Sequence, residues 1–200
     1  MRAHYEQLWS DAPDDPEPWE WERRRALLLA EARPGDRVLD LGCGAGRFVA
    51  ALQAAGAEPV GVEIARAALD RAARNAPGAD LRLVEDDGSL PLDHGSVDLV
   101  WCSEVLEHVA DADYLLLEVR RVLRPGGRLL LTVPYHGRVQ GALIALTRFE
   151  RHFDPGGDHL RFYTRRSLAT ALAAFERVSV RAWGGPPLLR TGLTAWAERG

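Results

Sequence analysis

Acidic residues and glycines recur at positions that would meet at one edge of a parallel sheet. Asp40 precedes three glycines, Gly42, Gly44 and Gly46, and Glu63 ends the next apolar segment. Glycines allow left-handed backbone angles and let a ligand approach the main chain closely. A carboxylate beside such a loop would repel a pyrophosphate and attract a cation. The pattern therefore favours a nucleoside ligand that carries positive charge and no phosphate.

The spacing of the glycines separates this loop from the dinucleotide-binding fingerprint. That fingerprint needs Gly-x-Gly-x-x-Gly, whereas here the third glycine comes one position early and Arg47 follows it. Glu63 is placed to accept hydrogen bonds from both hydroxyls of a ribose. Asp86 is placed to accept one from an adenine amino group, with the backbone of Asp87 and Gly88 completing that contact. S-adenosylmethionine, which carries a sulfonium and an ammonium group, matches these acceptors.

The segments that position these residues alternate regularly between strands and helices. The predicted strands are 38–41, 59–62, 81–84, 97–101, 128–133 and 177–183. The predicted helices are 19–32, 46–55, 65–75, 113–123 and 164–175, the last with Thr164 as its N-cap, and residues 188–200 fit either a strand or a short helix. This alternation predicts an α/β, doubly wound, mostly parallel sheet with helices on both faces and a ligand crevice at the carboxyl ends of its strands.

Composition narrows the classes of function. The chain has 200 residues, 46% of them hydrophobic, which fits one domain with a sizeable core. Its formal net charge of −4 disfavours non-specific binding to nucleic acid. The sequence contains no Lys, which excludes a lysine Schiff base or a P-loop lysine.

The cysteines and the N-terminus predict a cytoplasmic protein without a membrane segment. Cys43 and Cys102 are too few for a disulfide scaffold, and no Cys/His cluster has zinc-ligand spacing. The first residues lack the apolar core of a signal peptide, and no apolar run approaches the roughly 20 residues that cross a bilayer.

Several segments together resemble the class I S-adenosylmethionine-dependent methyltransferases. Residues 38–48, Val-Leu-Asp-Leu-Gly-Cys-Gly-Ala-Gly-Arg-Phe, resemble motif I of that family, and residues 62–63, 83–91, 93–100, 103–109 and 123–134 match it in order and spacing. The resemblance is to the small-molecule branch that includes ubiquinone-biosynthesis enzymes and natural-product O-methyltransferases. It implies a Rossmann-like, seven-stranded sheet. It also implies a helical cap or lid over residues 1–35 and a methyltransferase domain over 36–200, with an acceptor-binding insertion around 135–163.

The resemblance also implies a role for individual residues. Asp40 and the glycine backbone would hold the methionine part, Glu63 the ribose, and Ile64 and Asp86 the adenine. The implied cofactor-binding residues are Asp40, Leu41, Gly42, Cys43, Gly44, Gly46, Glu63, Ile64, Asp86, Asp87, Gly88, Ser103 and Glu104.

Methyl transfer to a hydroxyl benefits from a general base, usually histidine near neutral pH. The candidates are His108, His136 and His159, although His108 could equally orient the loop after the fourth strand. Further acceptor or lid candidates are Tyr5, Trp9, Tyr135 and His152. The i, i+4 pair Tyr5 and Trp9 could instead hold an N-terminal helix to the body of the protein. No metal site is predicted, because no set of ligands has a recognised spacing.

The leading prediction is methyl transfer from S-adenosylmethionine to a small-molecule acceptor, most simply at oxygen, with S-adenosylhomocysteine as product. A protein that binds S-adenosylmethionine without catalysis, as partner or regulator of an enzyme, is the alternative. An NAD-dependent oxidoreductase is the third hypothesis, which the glycine spacing disfavours. The sequence fits a monomer or a homodimer.

Overall fold

A computed structural model describes residues 2–13, 16–85, 88–152 and 159–200. The helices are α1 Arg2–Asp11, α2 Trp21–Glu31, α3 Arg47–Ala54, α4 Arg66–Asn75, α5 Ala112–Val122, α6 Arg138–Thr147, α7 Phe149–His152 and α8 Arg165–Ala171. The strands are β1 Arg37–Leu41, β2 Glu58–Glu63, β3 Asp80–Leu83, β4 Val97–Ser103, β5 Leu123–Pro134, β6 Glu176–Trp183 and β7 Gly192–Glu198.

The strands form one seven-stranded sheet in the order β3-β2-β1-β4-β5-β7-β6. The pairs from β3 to β5 are parallel, and β7 runs antiparallel to both of its neighbours. The chain moves outward from β1 to β3 and then returns to place β4 on the other side of β1. That reversal creates a crevice at the carboxyl ends of β1 and β4, where ligands bind in sheets of this kind. The predicted doubly wound, mostly parallel fold is confirmed.

Two element boundaries differ from the sequence prediction by more than two residues. Strand β5 begins five residues early, because Leu123 already pairs with Val97 of β4 before the Pro-Gly-Gly turn. Helix α8 ends at Ala171 rather than at residue 175, although Thr164 is its N-cap as predicted and forms a reciprocal capping box with Ser167. The undecided C-terminal segment contains a 3₁₀ turn, Pro187–Leu189, followed by β7.

The two N-terminal helices pack differently against the sheet. Leu28 of α2 is fully buried in a cluster with β1, α3 and β4 residues, which ties α2 to the body of the protein. Helix α1 has no buried residue, so it rests on the surface through polar and ring contacts. No helix among the described residues is both long enough and apolar enough to span a membrane.

Candidate functional site

The loop after β1 requires glycine at three positions. Gly42, Gly44 and Gly46 have φ angles of 74°, 51° and 78°. A Cβ at Gly42 would lie 2.5 Å from a Val105 methyl carbon, and one at Gly46 would lie 2.8 Å from Ala72 Cβ. The main chain therefore passes too close to its neighbours for any side chain, and it leads directly into the N-terminus of α3.

Glu63 holds this loop from the end of β2. Its side chain is 7% exposed and accepts hydrogen bonds from the backbone N–H groups of Gly44 at 3.1 Å, Ile64 at 2.7 Å and Ala65 at 3.2 Å. Burial nevertheless raises the pKa of Glu63, because desolvation outweighs these three donors. The carboxylate is thus fixed at the edge of the sheet, beside the glycine loop.

Asp40 is the most strongly perturbed acid of the loop. It is 2% exposed, and its Oδ2 has no hydrogen-bond partner within the described residues. Burial, followed by repulsion from Glu63, raises the pKa of Asp40 to about 8. A buried carboxylate without a full set of partners is costly, so a cationic group beside it would be stabilised.

Arg24 of α2 contributes a buried positive charge that sequence analysis missed. It is 4% exposed, and its Nη1 donates to Ser103 Oγ at 2.8 Å. Burial lowers the pKa of Arg24, while the nearby acids Glu104, Asp40 and Glu107 oppose that shift. One signal in the sequence could have found it: Arg24 lies four residues before the buried Leu28, on the same helical face.

Ser103 and Glu104 follow β4 and belong to one hydrogen-bonded chain. Ser103 Oγ lies 2.8 Å from Thr132 Oγ1, which donates to Glu104 Oε1 at 2.8 Å. Glu104 has a φ angle of 55°, unusual for a residue with a side chain. The strained turn and the hydroxyl chain together direct the Glu104 carboxylate toward the buried Arg24.

Glu107 is buried without the partners that an acid at such a depth normally has. Its side chain is 1% exposed, and neither carboxylate oxygen has a hydrogen-bond partner within the described residues. Burial, followed by repulsion from Glu104, raises the pKa of Glu107 to about 8. The neighbouring His108 places its Nε2 3.6 Å from Glu107 Oε1.

Helix α1 contacts four of the loops at this end of the sheet. Trp9 lies against Gly44, so that a Cβ there would be 2.8 Å from the indole ring. Glu6 accepts from the backbone N–H groups of Arg66 at 2.6 Å and Ala67 at 3.0 Å, which lowers its pKa. Two further contacts reach β3 and the loop after β4: Arg2 donates to Val84 O at 2.7 Å, and the ring of Tyr5 lies 6.3 Å from that of His108.

The three candidate histidines and Phe162 form a chain of ring contacts. The His108 and His159 rings are 4.8 Å apart, the His159 ring lies 6.2 Å from that of Phe162, and the His136 ring lies 6.0 Å from that of Phe162. We call His108, His136, His159 and Phe162 the histidine cluster. It lies beyond β4 and β5, whereas the glycine loop lies beyond β1, and Phe162 is a member that sequence analysis did not single out.

The remaining predicted residues fall into three groups. Leu41 is buried at the end of β1, Cys43 is buried in the glycine loop, and Ile64 follows Glu63. Tyr135 donates its backbone N–H to Thr191 O at 2.9 Å, and Gly88 has a φ angle of 77°. Asp86, Asp87 and the side chain of His152 lie outside the described residues.

A cavity of about 800 Å³ lies away from all these residues, between α2 and strands β5, β7 and β6. It is lined mainly by apolar side chains, with Trp183 and Trp196 among them. No acid of the glycine loop and no member of the histidine cluster lines it, so it is separate from the crevice.

Comparison with known proteins identifies related chains. Residues 39–131 match the family model described as "Methyltransferase domain". The chain is 32% identical over 189 residues to 27-O-demethylrifamycin SV methyltransferase of Amycolatopsis mediterranei, covering 79% of this chain and 69% of that protein. It is also 32% identical over 154 residues to malonyl-[acyl-carrier protein] O-methyltransferase of Serratia marcescens, covering 76% and 58%.

Coverage varies among the relatives, and the fold extends further than the sequence similarity. The chain spans only a third of an uncharacterized 37.1 kDa protein of Streptomyces fradiae, with 41% identity over 114 residues and 54% of this chain covered. Among solved structures, the PH0226 protein of Pyrococcus horikoshii superposes with a TM-score of 0.76, covering 97% of this chain and 99% of that chain at 18% identity.

Proposed function

The chain belongs to the S-adenosylmethionine-dependent methyltransferase family, and from this premise we propose that it transfers a methyl group from S-adenosylmethionine to a hydroxyl oxygen of a small molecule. The observation that carries the proposal is the buried Asp40 carboxylate beside the glycine loop, whose Oδ2 has no hydrogen-bond partner among the described residues. A cation without phosphate satisfies that carboxylate, whereas a pyrophosphate would meet Asp40 and Glu63 as like charges.

The residues around the loop fit S-adenosylmethionine. Asp40 and the backbone of Gly42 to Gly46 are the proposed site for the methionine part, where a carboxylate offsets the ammonium charge. After its three backbone contacts Glu63 retains a free lone pair on Oε2, which can accept a hydrogen bond from a ribose hydroxyl. When bound, the cofactor supplies a methyl carbon that its sulfonium makes electrophilic.

Other residues complete the proposed cofactor site. Ile64 would pack against the adenine, and Ser103 and Glu104 would line the end that carries the sulfonium. Asp86, with Asp87 and Gly88, is proposed to hold the adenine amino group. Helix α1, through Trp9 and Tyr5, would close over the bound cofactor and exclude water, as its contacts with Gly44 and His108 suggest.

The histidine cluster supports a hydroxyl acceptor. Methyl transfer depends mainly on holding the acceptor in line with the methyl carbon, about 3 Å away. Imidazoles at His108, His136 and His159 can accept a hydroxyl proton near neutral pH, which an oxygen nucleophile needs to lose. Two curated relatives with this domain carry names that specify methyltransferases of small or carrier-bound substrates, one of them explicitly at oxygen.

Calorimetric titration with S-adenosylhomocysteine and, separately, with NAD tests the cofactor part of the proposal. We expect one S-adenosylhomocysteine per chain and no measurable heat with NAD. Tight binding of NAD without binding of S-adenosylhomocysteine would reject S-adenosylmethionine as the cofactor and favour the oxidoreductase hypothesis.

The acceptor part is tested by incubating the chain with S-adenosylmethionine carrying a labelled methyl group and a panel of phenols, alcohols and amines. Label that resists acid and base in an ether product supports the proposal. Label recovered only in amine products, or no label despite tight binding of S-adenosylhomocysteine, contradicts transfer to oxygen.

A further inference from the structure

Glu107, His108 and His159 form a group of metal-ligating side chains outside the glycine loop. Each offers one ligand atom, and the three atoms lie within 4.8 Å of one another. Ligand atoms bound at about 2.1 Å to one metal ion lie roughly 3 to 4 Å apart. The 3.6 Å between His108 Nε2 and Glu107 Oε1 falls within that range, and movements of about 1 Å would bring in the third atom.

Burial of Glu107 gives an independent reason to expect a ligand here. The carboxylate is 1% exposed and both its oxygens lack a hydrogen-bond partner among the described residues. Buried polar groups in folded proteins are almost always hydrogen-bonded, paired with charge or bound to a metal, because desolvation is costly. His108 has 21% side-chain exposure and His159 is exposed, so the group reaches the protein surface and a cation can approach it.

The main chain fixes the three residues relative to one another. Leu160 donates its backbone N–H to Glu107 O at 2.9 Å, which places His159 beside the loop after β4. Arg161 continues this attachment, since its guanidinium donates to Ala110 O at 2.5 Å and also to Val109 O. His108 donates its backbone N–H to Val105 O at 2.9 Å, closing the turn that carries the first two side chains.

We propose that Glu107, His108 and His159 bind a divalent transition-metal ion that holds the acceptor hydroxyl next to the cofactor site. One carboxylate and two imidazoles suit Zn²⁺, Co²⁺, Fe²⁺ or Mn²⁺ better than Ca²⁺ or Mg²⁺, which prefer oxygen ligands throughout. Three protein ligands leave at least one coordination position open, which is the arrangement of catalytic rather than structural metal sites.

The metal ion would activate the acceptor hydroxyl for methyl transfer, so this inference rests on the proposed function. A hydroxyl oxygen bound to such an ion loses its proton far more readily than in water. The proton passes to solvent, the oxygen lone pair forms the new O–CH₃ bond, and the electron pair of the breaking C–S bond returns to sulfur. Glu104, Asp40 and Glu107 all lie close enough to Arg24 to interact with its positive charge. The three proposed metal ligands therefore lie beside the proposed cofactor site.

Spectroscopic titration with Co²⁺ tests the site without any turnover. Cobalt chloride is added to the metal-stripped full chain, and the visible absorption bands of coordinated Co²⁺ are followed. We expect one Co²⁺ per chain, with affinity at least tenfold weaker in Glu107→Gln, His108→Ala and His159→Ala. His94→Ala is the matched control, because His94 contacts Arg199 far from the group, and its Co²⁺ affinity should equal that of the wild type.

The outcomes separate this inference from the proposed function. Each variant is also titrated with S-adenosylhomocysteine, which reports an intact fold and cofactor site. A wild-type chain that binds S-adenosylhomocysteine but no Co²⁺, or variants that keep full Co²⁺ affinity, overturn the metal site alone. A chain that binds Co²⁺ through these residues but not S-adenosylhomocysteine supports the metal site and rejects the methyltransferase proposal.

The open coordination position is tested with catechol as a simple pair of adjacent hydroxyls. Addition of catechol to the chain loaded with Co²⁺ and S-adenosylhomocysteine should change the absorption bands, whereas 1,2-dimethoxybenzene, which has no hydroxyl, should not. Unchanged bands with catechol would overturn the role of the ion in holding a hydroxyl acceptor.

Discussion

The glycine loop and the histidine cluster lie at the same end of the sheet but are constructed differently. In the loop, three backbone N–H groups donate to Glu63. Three glycines let the main chain pass so close to its neighbours that a Cβ would not fit. In the cluster, ring contacts run from His108 to His159, from His159 to Phe162 and from Phe162 to His136. Main-chain geometry leaves a short and regular sequence pattern, whereas ring contacts between distant segments do not.

That difference predicts that substitutions in the loop have larger effects than those in the cluster on cofactor affinity. The largest effect is expected for Glu63→Ala, which removes the proposed acceptor for the ribose and the hydrogen bonds to Gly44, Ile64 and Ala65. We expect about a hundredfold loss of S-adenosylhomocysteine affinity, consistent with losing hydrogen bonds to a charged group. Calorimetry measures it, and Glu63→Gln, which keeps one acceptor oxygen, should lose less. Equal affinities for wild type and Glu63→Ala would remove Glu63 from the site.

The packing of the loop is tested by two glycines with nearly the same backbone angle. Gly46 and Gly78 have φ angles of 78° and 76°, but a Cβ at Gly46 meets Ala72 at 2.8 Å and one at Gly78 meets nothing within 4 Å. Both Ala substitutions incur backbone strain of about 1 kcal/mol, and Gly46→Ala adds overpacking of about 1 to 3 kcal/mol. Denaturant unfolding measures both. Equal losses would show that the loop has room to relax.

The sequence predicts the loop well because each of its requirements is local. The loop can be predicted from three glycines, the preceding Asp40 and Glu63 at the end of a strand. The alternation of strands and helices places these residues at one edge of the sheet. Arg24 escaped prediction because it lies in a run of three arginines, where its spacing of four residues from Leu28 is the one signal that distinguishes it. The grouping of Glu107, His108 and His159 escaped it for another reason: the two histidines are 51 positions apart, and hydrogen bonds of Leu160 and Arg161 to the loop after β4 bring them together.

Asp40 makes the loop sensitive to pH. Its pKa is about 8 in the folded chain against about 3.9 unfolded, so the protonated form stabilises the fold below pH 4. That contribution is lost as the pH rises through about 8. Glu63 opposes ionisation of Asp40 and Arg24 favours it. A bound ammonium group favours the ionised form, so S-adenosylhomocysteine affinity should rise about tenfold between pH 6 and 8.

Asp40→Asn provides the control for this pH dependence. The variant should lose most of the change in affinity between pH 6 and 8 and should bind S-adenosylhomocysteine more weakly at pH 8. Its stability should fall less than that of the wild type over the same range, as measured by denaturant unfolding. A wild-type affinity that is flat with pH would contradict the role of Asp40 as the acceptor for the ammonium group.

Helix α1 connects the two regions, and Trp9 tests how much the connection contributes. Trp9→Ala removes the ring that lies against Gly44 and beside the Arg71 guanidinium. We expect S-adenosylhomocysteine affinity to fall about fivefold, since the lost contact is partly exposed and no hydrogen bond is broken. Leu8→Ala, on the exposed side of α1, is the matched control and should change the affinity little. A similar loss in both variants would indicate that α1 as a whole, rather than Trp9, covers the loop.

The smallest effect on cofactor affinity is expected in the histidine cluster itself. His136→Ala removes a ring 6.0 Å from Phe162. His136 follows β5, which β4 separates from β1 and the glycine loop, so S-adenosylhomocysteine affinity should stay within about twofold of wild type. Methyl transfer to an identified acceptor should fall much further, because His136 belongs to the proposed acceptor site. The ratio of the two losses is the measurement. A parallel loss of affinity and turnover would mean that the loop and the cluster act as one unit. The structural difference between main-chain and ring contacts would then not correspond to separate roles in cofactor binding and methyl transfer.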